Sequence, residues 1–464
     1  MSEARGDRSV AIRLAVAVSL FLLLLGQAQI TVVDGSSMLA VAQSIVHHGT
    51  LAVPDQLGVL GHDGRSYSKY GILLSLLSVV PVAIAQPIAL VTGHLDKVEA
   101  ALAASLMPLI AGALAGALFL LGRRLGAPRA AAALVATGTV LGTYLLPYGR
   151  DFFTEPLVAL WLVVMVERAV AGREAQAGAA LALAVLARPQ SAAFAPLLFL
   201  FLVARGGGLG GVARTLPPLA VAAIVTVAHN VVRFADPLEF GYREPLDPGF
   251  TTPLLEGAAG LLLSPEKSVV LFAPAIVLVV PAAVALWRRG NEARATVGFV
   301  LALFVAVFVL AATWWSWMGG WSWGPRLVIP GVAVLLALLA PWIGSSAARL
   351  RIVAALFAAG FVISFSAVLA PAGAQMIGHD PDRDGPRIVR QYALLPDLTS
   401  NSINAVGDPA AREGDYRRYL AVWQAGAVRQ FGVAGALAAL IGSLVLLWAA
   451  IVVARPLRRE LKGA

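Results

Sequence analysis

The sequence predicts an all-α, polytopic integral membrane protein with about twelve transmembrane helices and an amphipathic helix on its outer surface. Three observations carry that prediction. Of 464 residues, 59% are hydrophobic and 13% charged, about half the usual charged share of a soluble domain, and the mean hydropathy is +0.81. The apolar residues also fall in runs long enough to cross a hydrocarbon core, which takes about 20 residues. Finally, the basic residues sit on alternate connections between those runs. A soluble enzyme or nucleic-acid binder is excluded, although the net charge is +9. There is no cysteine, so disulfides, thiolate catalysis and cysteine-held metal are excluded as well.

The first run, 11–33, follows Arg5, Arg8 and Arg13. It is longer than a signal-peptide core and lacks a small-residue cleavage site, so it reads as a retained anchor. Further runs lie at 100–121, 130–147, 156–171, 175–187, 191–204, 215–233, 268–287, 295–313, 326–343, 352–370 and 429–454. The run 71–92 is interrupted by Pro81 and Pro87 and is expected to re-enter or lie at the interface. With that parity, 19 of the 35 basic residues fall on short segments sharing the side of the N-terminus. The positive-inside rule then places both termini in the cytoplasm of a plasma-membrane protein. Three long polar segments, 34–99, 234–267 and 371–428, face the extracytoplasmic side. Within the first, Met38, Leu39, Ala42, Ile45 and Val46 recur at helical spacing, as in an interfacial amphipathic helix over 34–48.

The residues able to carry chemistry cluster on that outer side. Asp34 ends the first run and starts the amphipathic helix; it reads as an N-cap or as a carboxylate acting at the membrane surface. Lys69 and Tyr70 precede the interrupted run, where they serve as interfacial anchors or as ligands of a lipid-linked phosphate. Arg150, Asp151 and Glu155 crowd one short outer connection, and charges at that depth are costly unless paired. Arg188, between two apolar half-runs, is a buried counter-ion or a snorkelling surface residue. Five of ten tryptophans fall within Trp314–Trp323, followed by Gly324-Pro325-Arg326. An interfacial belt explains the tryptophans. A sugar-stacking platform at Trp321 and Trp323, with a phosphate clamp at Arg326, explains the glycines and the arginine too.

These residues resemble the GT-C superfamily of polytopic glycosyltransferases. The shared features are Asp34 after the first run, the outer helix, the Lys69-Tyr70 entry, the Gly122-Arg123-Arg124-Leu125-Gly126 turn and the acidic second outer loop. The resemblance is to the branch holding protein O-mannosyltransferases and lipid A aminoarabinose transferases. Ala235-Asp236-Pro237 with Gly241-Tyr242, Leu262-Leu263-Ser264-Pro265 and Gly319–Arg326 resemble actinobacterial-type members. It runs over about residues 10–345, so residues 1–345 are expected to form the catalytic core and 346–464 to add C-terminal helices.

The resemblance implies transfer of a sugar from a polyprenyl-phosphate-linked donor to a cell-envelope glycan, lipid or protein hydroxyl outside the cytoplasm. Asp34 would be the catalytic carboxylate, with Asp151 or Glu155 as the second acidic residue. Lys69 and Arg326, with Arg150 beside them, would hold the donor phosphate; Tyr70, Tyr242, Trp321 and Trp323 would contact substrate. No cofactor and no metal ligand set is expected. The chain departs from the O-mannosyltransferases in carrying Asp34-Gly35 where they have an Asp-Glu pair, which bears on the acceptor. A twelve-span transporter would put its longest loop inside and polar residues within its spans; here the long loops are outside and the spans nearly bare. A non-catalytic partner in an envelope complex is the remaining alternative.

Overall fold

In hydrocarbon every backbone N–H and C=O needs an internal partner, so apolar runs of this length fold as helices. The computed structural model describes residues 2–30, 32–243, 247–265, 267–320, 322–369 and 423–462; Trp321 and nearly all of the expected loop 371–428 lie outside the described residues. Helix α1 (Ser2–Leu24) leads to α2 (Val33–His48), the expected outer helix. Met38, Leu39 and Ala42 of α2 are buried in the main core. A small antiparallel sheet follows, with β1 (Ala52–Val53) and β2 (Val59–Leu60) flanking β3 (Ser66–Tyr67). These strands are not predicted by the sequence. They are two residues long, built around the Asp63-Gly64 turn, and too short to show a period.

Helix α3 (Ile72–Thr92) is continuous and holds both Pro81 and Pro87, a correction to the expected interruption. Each proline removes one backbone donor, and the remaining ladder carries the helix through. By length and composition α3 could cross a membrane, yet it lies along α2. Tyr70 at its start reaches Asp34 (2.7 Å), and Gln86 near its end reaches His47 (3.1 Å) in the last turn of α2. Helix α4 (Leu95–Ala104) returns beside them, its buried Glu99 accepting from Gln43 (2.7 Å) and meeting His47 (2.7 Å).

Helix α5 (Leu106–Arg124) packs antiparallel on α1 through glycines: a side chain at Gly112 would meet Ser19 Oγ at 2.0 Å, and one at Gly116 would meet the Ala11 carbonyl at 3.0 Å. Next come α6 (Arg129–Leu141), α7 (Leu145–Tyr148), α8 (Glu155–Val170), α9 (Glu174–Ala187), a 3-10 turn over Pro189–Phe194, α10 (Ala195–Ala204) and α11 (Gly208–Phe234). The short α12 (Leu254–Leu263) and α13 (Val269–Phe272) precede α14 (Val279–Trp287), α15 (Asn291–Thr313), α16 (Ile329–Leu336), α17 (Leu339–Ile343), α18 (Ala347–Leu369) and α19 (Trp423–Lys462).

Charge pairs show which connections share an end of the bundle. Asp7 binds Arg123 (2.9 Å) and Arg129 (2.7 Å). Arg124 meets Glu167 (3.3 Å), Arg214 meets Glu174 and Arg205 meets Glu292 (both 3.6 Å). Arg289 donates to the Pro341 carbonyl at 3.0 Å. The arginine-bearing connections therefore gather beside the N-terminus. At the other end of α1, Gln424 of α19 donates to the Leu24 carbonyl at 2.8 Å. Seven described helical segments are long and apolar enough to cross a membrane, and five more apolar helices run 10–17 residues. The predicted span 268–287 is cut into pieces at Pro274, while Pro189 falls between two predicted runs, as expected.

Candidate active site

Asp34 stands in the first turn of α2, where Val32 occupies the N-cap position and makes no side-chain capping bond. Its carboxylate is spent elsewhere. Tyr70 Oη donates to Oδ1 at 2.7 Å, and Arg326 donates to Oδ2 at 3.1 Å. Burial pushes the Asp34 carboxyl up, but Arg326, the Tyr70 hydroxyl and Arg188 together hold it below its ordinary value. Burial and the Asp34 charge drive the Tyr70 phenol well above its ordinary value, so it stays a donor.

Arg326 links this group to a second carboxylate. Its Nε lies 3.7 Å from Glu155, and Arg188 approaches Glu155 at 3.2 Å. Glu155 opens α8 and its side chain is 1% exposed, so one buried anion is held between two guanidiniums. Phe153 lies beneath Arg326, 4.5 Å from ring centre to guanidinium carbon, a favourable cation–π distance. The glycine-rich segment makes room: Gly319 and Gly320 have φ of 75° and 65°, and a side chain at Gly319 would come within 2.9 Å of Arg326 Cγ. Lys267, buried, donates to the Ser322 carbonyl and braces the segment from behind.

Lys69 pairs with Asp247 and stands 5.0 Å from the centre of the Tyr242 ring. The sheet delivers it, because β3 ends one residue before Ser68-Lys69-Tyr70. Buried Arg233 at the end of α11 fixes the same stretch, donating to the Ser68 carbonyl and to Asn230 Oδ1 (2.6 Å). Trp314 packs edge-on against Tyr242 (5.4 Å) and Phe250 (5.1 Å).

Asp34, Lys69, Tyr70, Arg188, Tyr242, Trp314, Trp315 and Arg326 all line one cavity of about 710 Å³, whose remaining wall is largely apolar and includes Val158, Phe194 and Leu310. Two buried donors at this cavity, Arg326 Nε and Trp315 Nε1, have no hydrogen-bond partner among the described residues. Such donors are costly to leave unmet, so the site is built to receive an acceptor-rich group. Each nearby carboxylate is paired with a cation: Asp34 and Glu155 with arginines, Asp247 with lysine. That donor set does not fit a divalent metal ion, which needs ionised carboxylate oxygens not already committed to cationic side chains. Among the described residues no group of three His, Asp or Glu is placed to hold one.

The remaining sequence-derived residues fall elsewhere. Asp151 accepts from Gln27 (2.6 Å) and is not in the cavity wall; burial raises its carboxyl to about 6 against the pull of Arg150. Arg150 is buried and donates to the Val368 carbonyl at 3.1 Å. Trp323 packs into the core against Phe272 (5.5 Å). Glu155 therefore separates from Asp151: α8 begins at Glu155 itself, so the two do not share a helix face. Trp315 belongs to the tryptophan cluster noted in the sequence, whereas Asp247 and Phe250 were not singled out there. Only the Asp247-Pro248-Gly249 turn marked that stretch, and a turn reads the same whether or not it faces a cavity.

No protein-family model matches the sequence, and no curated protein matches it. Solved structures do. The oligosaccharyltransferase AglB from Archaeoglobus fulgidus, in complex with an inhibitory peptide and a dolichol-phosphate, is 14% identical over 85% of this chain and 60% of its own, with a TM-score of 0.54. The A. fulgidus oligosaccharyltransferase with Zn and sulfate is 15% identical over 84% and 58%, at 0.51. ArnT from Cupriavidus metallidurans bound to undecaprenyl phosphate is 14% identical over 98% and 77%, at 0.48.

Proposed function

We propose that this chain, which has the GT-C fold of polytopic membrane glycosyltransferases, transfers a sugar from a polyprenyl-phosphate-linked donor to a hydroxyl of a cell-envelope acceptor. The observation that carries the reading is the pairing, in one cavity, of an anchored carboxylate with cationic groups and two buried donors that lack a hydrogen-bond partner among the described residues. Arg326, Arg188 and Lys69 offer a phosphate three positive charges, and the apolar wall accommodates the adjoining polyprenyl chain. The carrier lipids named with AglB and ArnT have that chemistry. The arginine-rich end matches a cytoplasmic face under the positive-inside rule, which supports a site on the extracytoplasmic side.

In this mechanism the donor phosphate takes over Arg326. Asp34 then loses its main counter-charge, its proton affinity rises, and it becomes able to accept a proton. The acceptor oxygen attacks the anomeric carbon as its proton passes to Asp34. The bond from that carbon to the phosphate oxygen breaks, and the polyprenyl phosphate leaves as an anion held by Arg326, Arg188 and Lys69. The acceptor attacks opposite the departing phosphate in a single displacement, so configuration inverts. Positioning and preorganised charge supply most of the acceleration. Glu155 keeps the two guanidiniums apart and aimed.

The test is transfer from radiolabelled polyprenyl-monophosphate sugars by protein reconstituted in vesicles made with envelope lipids. Asp34→Asn should lower the rate by about 10²- to 10⁴-fold, the usual range for a general base, with donor binding kept. Parental rates in Asp34→Asn would remove the base from the scheme; absence of transfer from every donor by the unaltered protein would remove the transferase reading.

A further inference from the structure

A second cavity, of about 500 Å³, lies at the opposite, arginine-rich end of the bundle. Three arginines from three separate connections line it: Arg124 at the end of α5, Arg205 after α10 and Arg289 before α15. The lining holds one carboxylate, Glu292. That residue offers Arg205 little, since the pair is 3.6 Å apart and the Glu292 side chain is 86% exposed. Arg124 shares Glu167 with Arg168, at 3.3 and 3.1 Å. Arg289 meets a backbone carbonyl instead of an acid. The cavity thus has a surplus of guanidinium charge, in the fork geometry that suits phosphate oxygens.

Its remaining lining is mixed, with Asn291 and Thr296 supplying polar groups. Leu125, Val170, Leu286, Val297 and Leu338 form an apolar part of the wall, and on the neighbouring turn of α14 Trp287 is 46% exposed, as interfacial tryptophans are. A free anion gains nothing from such apolar surface, whereas an amphiphile places its head among the arginines and its chain on the apolar part. We infer that this cavity binds an anionic phospholipid, with the phosphate held by Arg124, Arg205 and Arg289 and part of an acyl chain lying on the half-buried Leu125 and Val170. The bound lipid ties together the connections after α5, α10 and α14, which otherwise repel one another. The inference does not depend on the proposed transfer reaction, because none of these residues lines the first cavity.

The experiment is native mass spectrometry of the full chain in detergent, offered equal amounts of dioleoylphosphatidylglycerol and dioleoylphosphatidylcholine. The unaltered protein should retain the anionic lipid in preference. Arg124→Gln and Arg205→Gln should each lower that retention about fivefold, from about 1 kcal/mol per arginine near a membrane surface, without changing the melting temperature in lipid-free detergent. Arg205→Lys should keep most of it. Should a glutamine variant fail to fold, salt supplies the same test on the unaltered chain: at about 1 M NaCl, where the Debye length is about 3 Å, the preference should vanish. Equal retention of the two lipids, or retention unaffected by both substitutions and salt, overturns the inference. Inorganic phosphate displacing the anionic lipid at equal concentration would assign the site to a free anion and overturn the lipid.

Discussion

Asp34 is paired twice, and each partner makes a separate prediction. Tyr70→Phe removes a bond that favours the charged carboxylate. The proton affinity of Asp34 rises, and a base is lost on protonation, so the acid limb of the pH–rate profile should move to higher pH. An unmoved limb would show that Tyr70 does not tune Asp34. Arg326→Lys replaces a fork reaching two carboxylates with a single ammonium. Donor affinity should fall about 10- to 100-fold, the range for hydrogen bonds to charged groups, and titration with the lipid phosphate measures it. Asp151 predicts a pH-dependent stability. Folding raises its carboxyl from 3.8 to about 6, so between those values the folded chain binds more protons than the unfolded one. Stability therefore falls as pH rises through that window. Asp151→Asn should flatten the corresponding slope of melting temperature against pH; an unchanged slope would place its cause elsewhere. At this scale the sequence revealed which residues are chemically able, and Asp34, Lys69, Tyr70, Tyr242 and Arg326 do line one cavity. Whether Asp34 capped its helix, and whether Arg188 faced a partner or the surface, was decided by partners well outside the local segment: Tyr70 and Arg326 for Asp34, Glu155 for Arg188.

Among the elements, glycines decide how closely helices meet. α6 and α18 approach through Gly138, Gly142 and Gly360: a side chain at Gly360 would come within 2.1 Å of the Gly142 carbonyl, and one at Gly138 would overlap the Phe357 ring at 2.2 Å. Gly360→Ala should destabilise the protein by about 1–3 kcal/mol, the cost of overpacking, lowering the melting temperature while donor affinity at the distant site is kept. Nothing in the sequence distinguished these glycines from the 45 in the chain, because close approach belongs to two helices at once. The outer helix α2 was legible, since its apolar spacing is local. The continuity of α3 through two prolines was not: proline costs a helix one donor, and flanking turns decide whether it survives.

For the whole molecule, the alternation of basic connections predicts which loops share an end, and the ion pairs Asp7–Arg123, Asp7–Arg129 and Arg124–Glu167 join several of those connections. The absence of native cysteine makes sidedness simple to test. Leu209 at the start of α11 and Leu238 beyond its end are both well exposed. A membrane-impermeant maleimide on intact cells should label Leu238→Cys and leave Leu209→Cys unlabelled; the reverse pattern would invert the orientation.

The sequence by itself determined that this is a polytopic helical membrane protein, where its basic connections fall, and which few polar residues are left for chemistry. Those follow from local composition and period, because the bilayer imposes the same backbone demand on every crossing segment. Only the tertiary structure decided that Asp34, Glu155, Arg188 and Arg326 form one charge chain at a cavity, while Arg150, Asp151 and Trp323 serve elsewhere. Pairing of buried charge depends on distance in space, and side chains up to 292 positions apart carry no mark of each other in the chain.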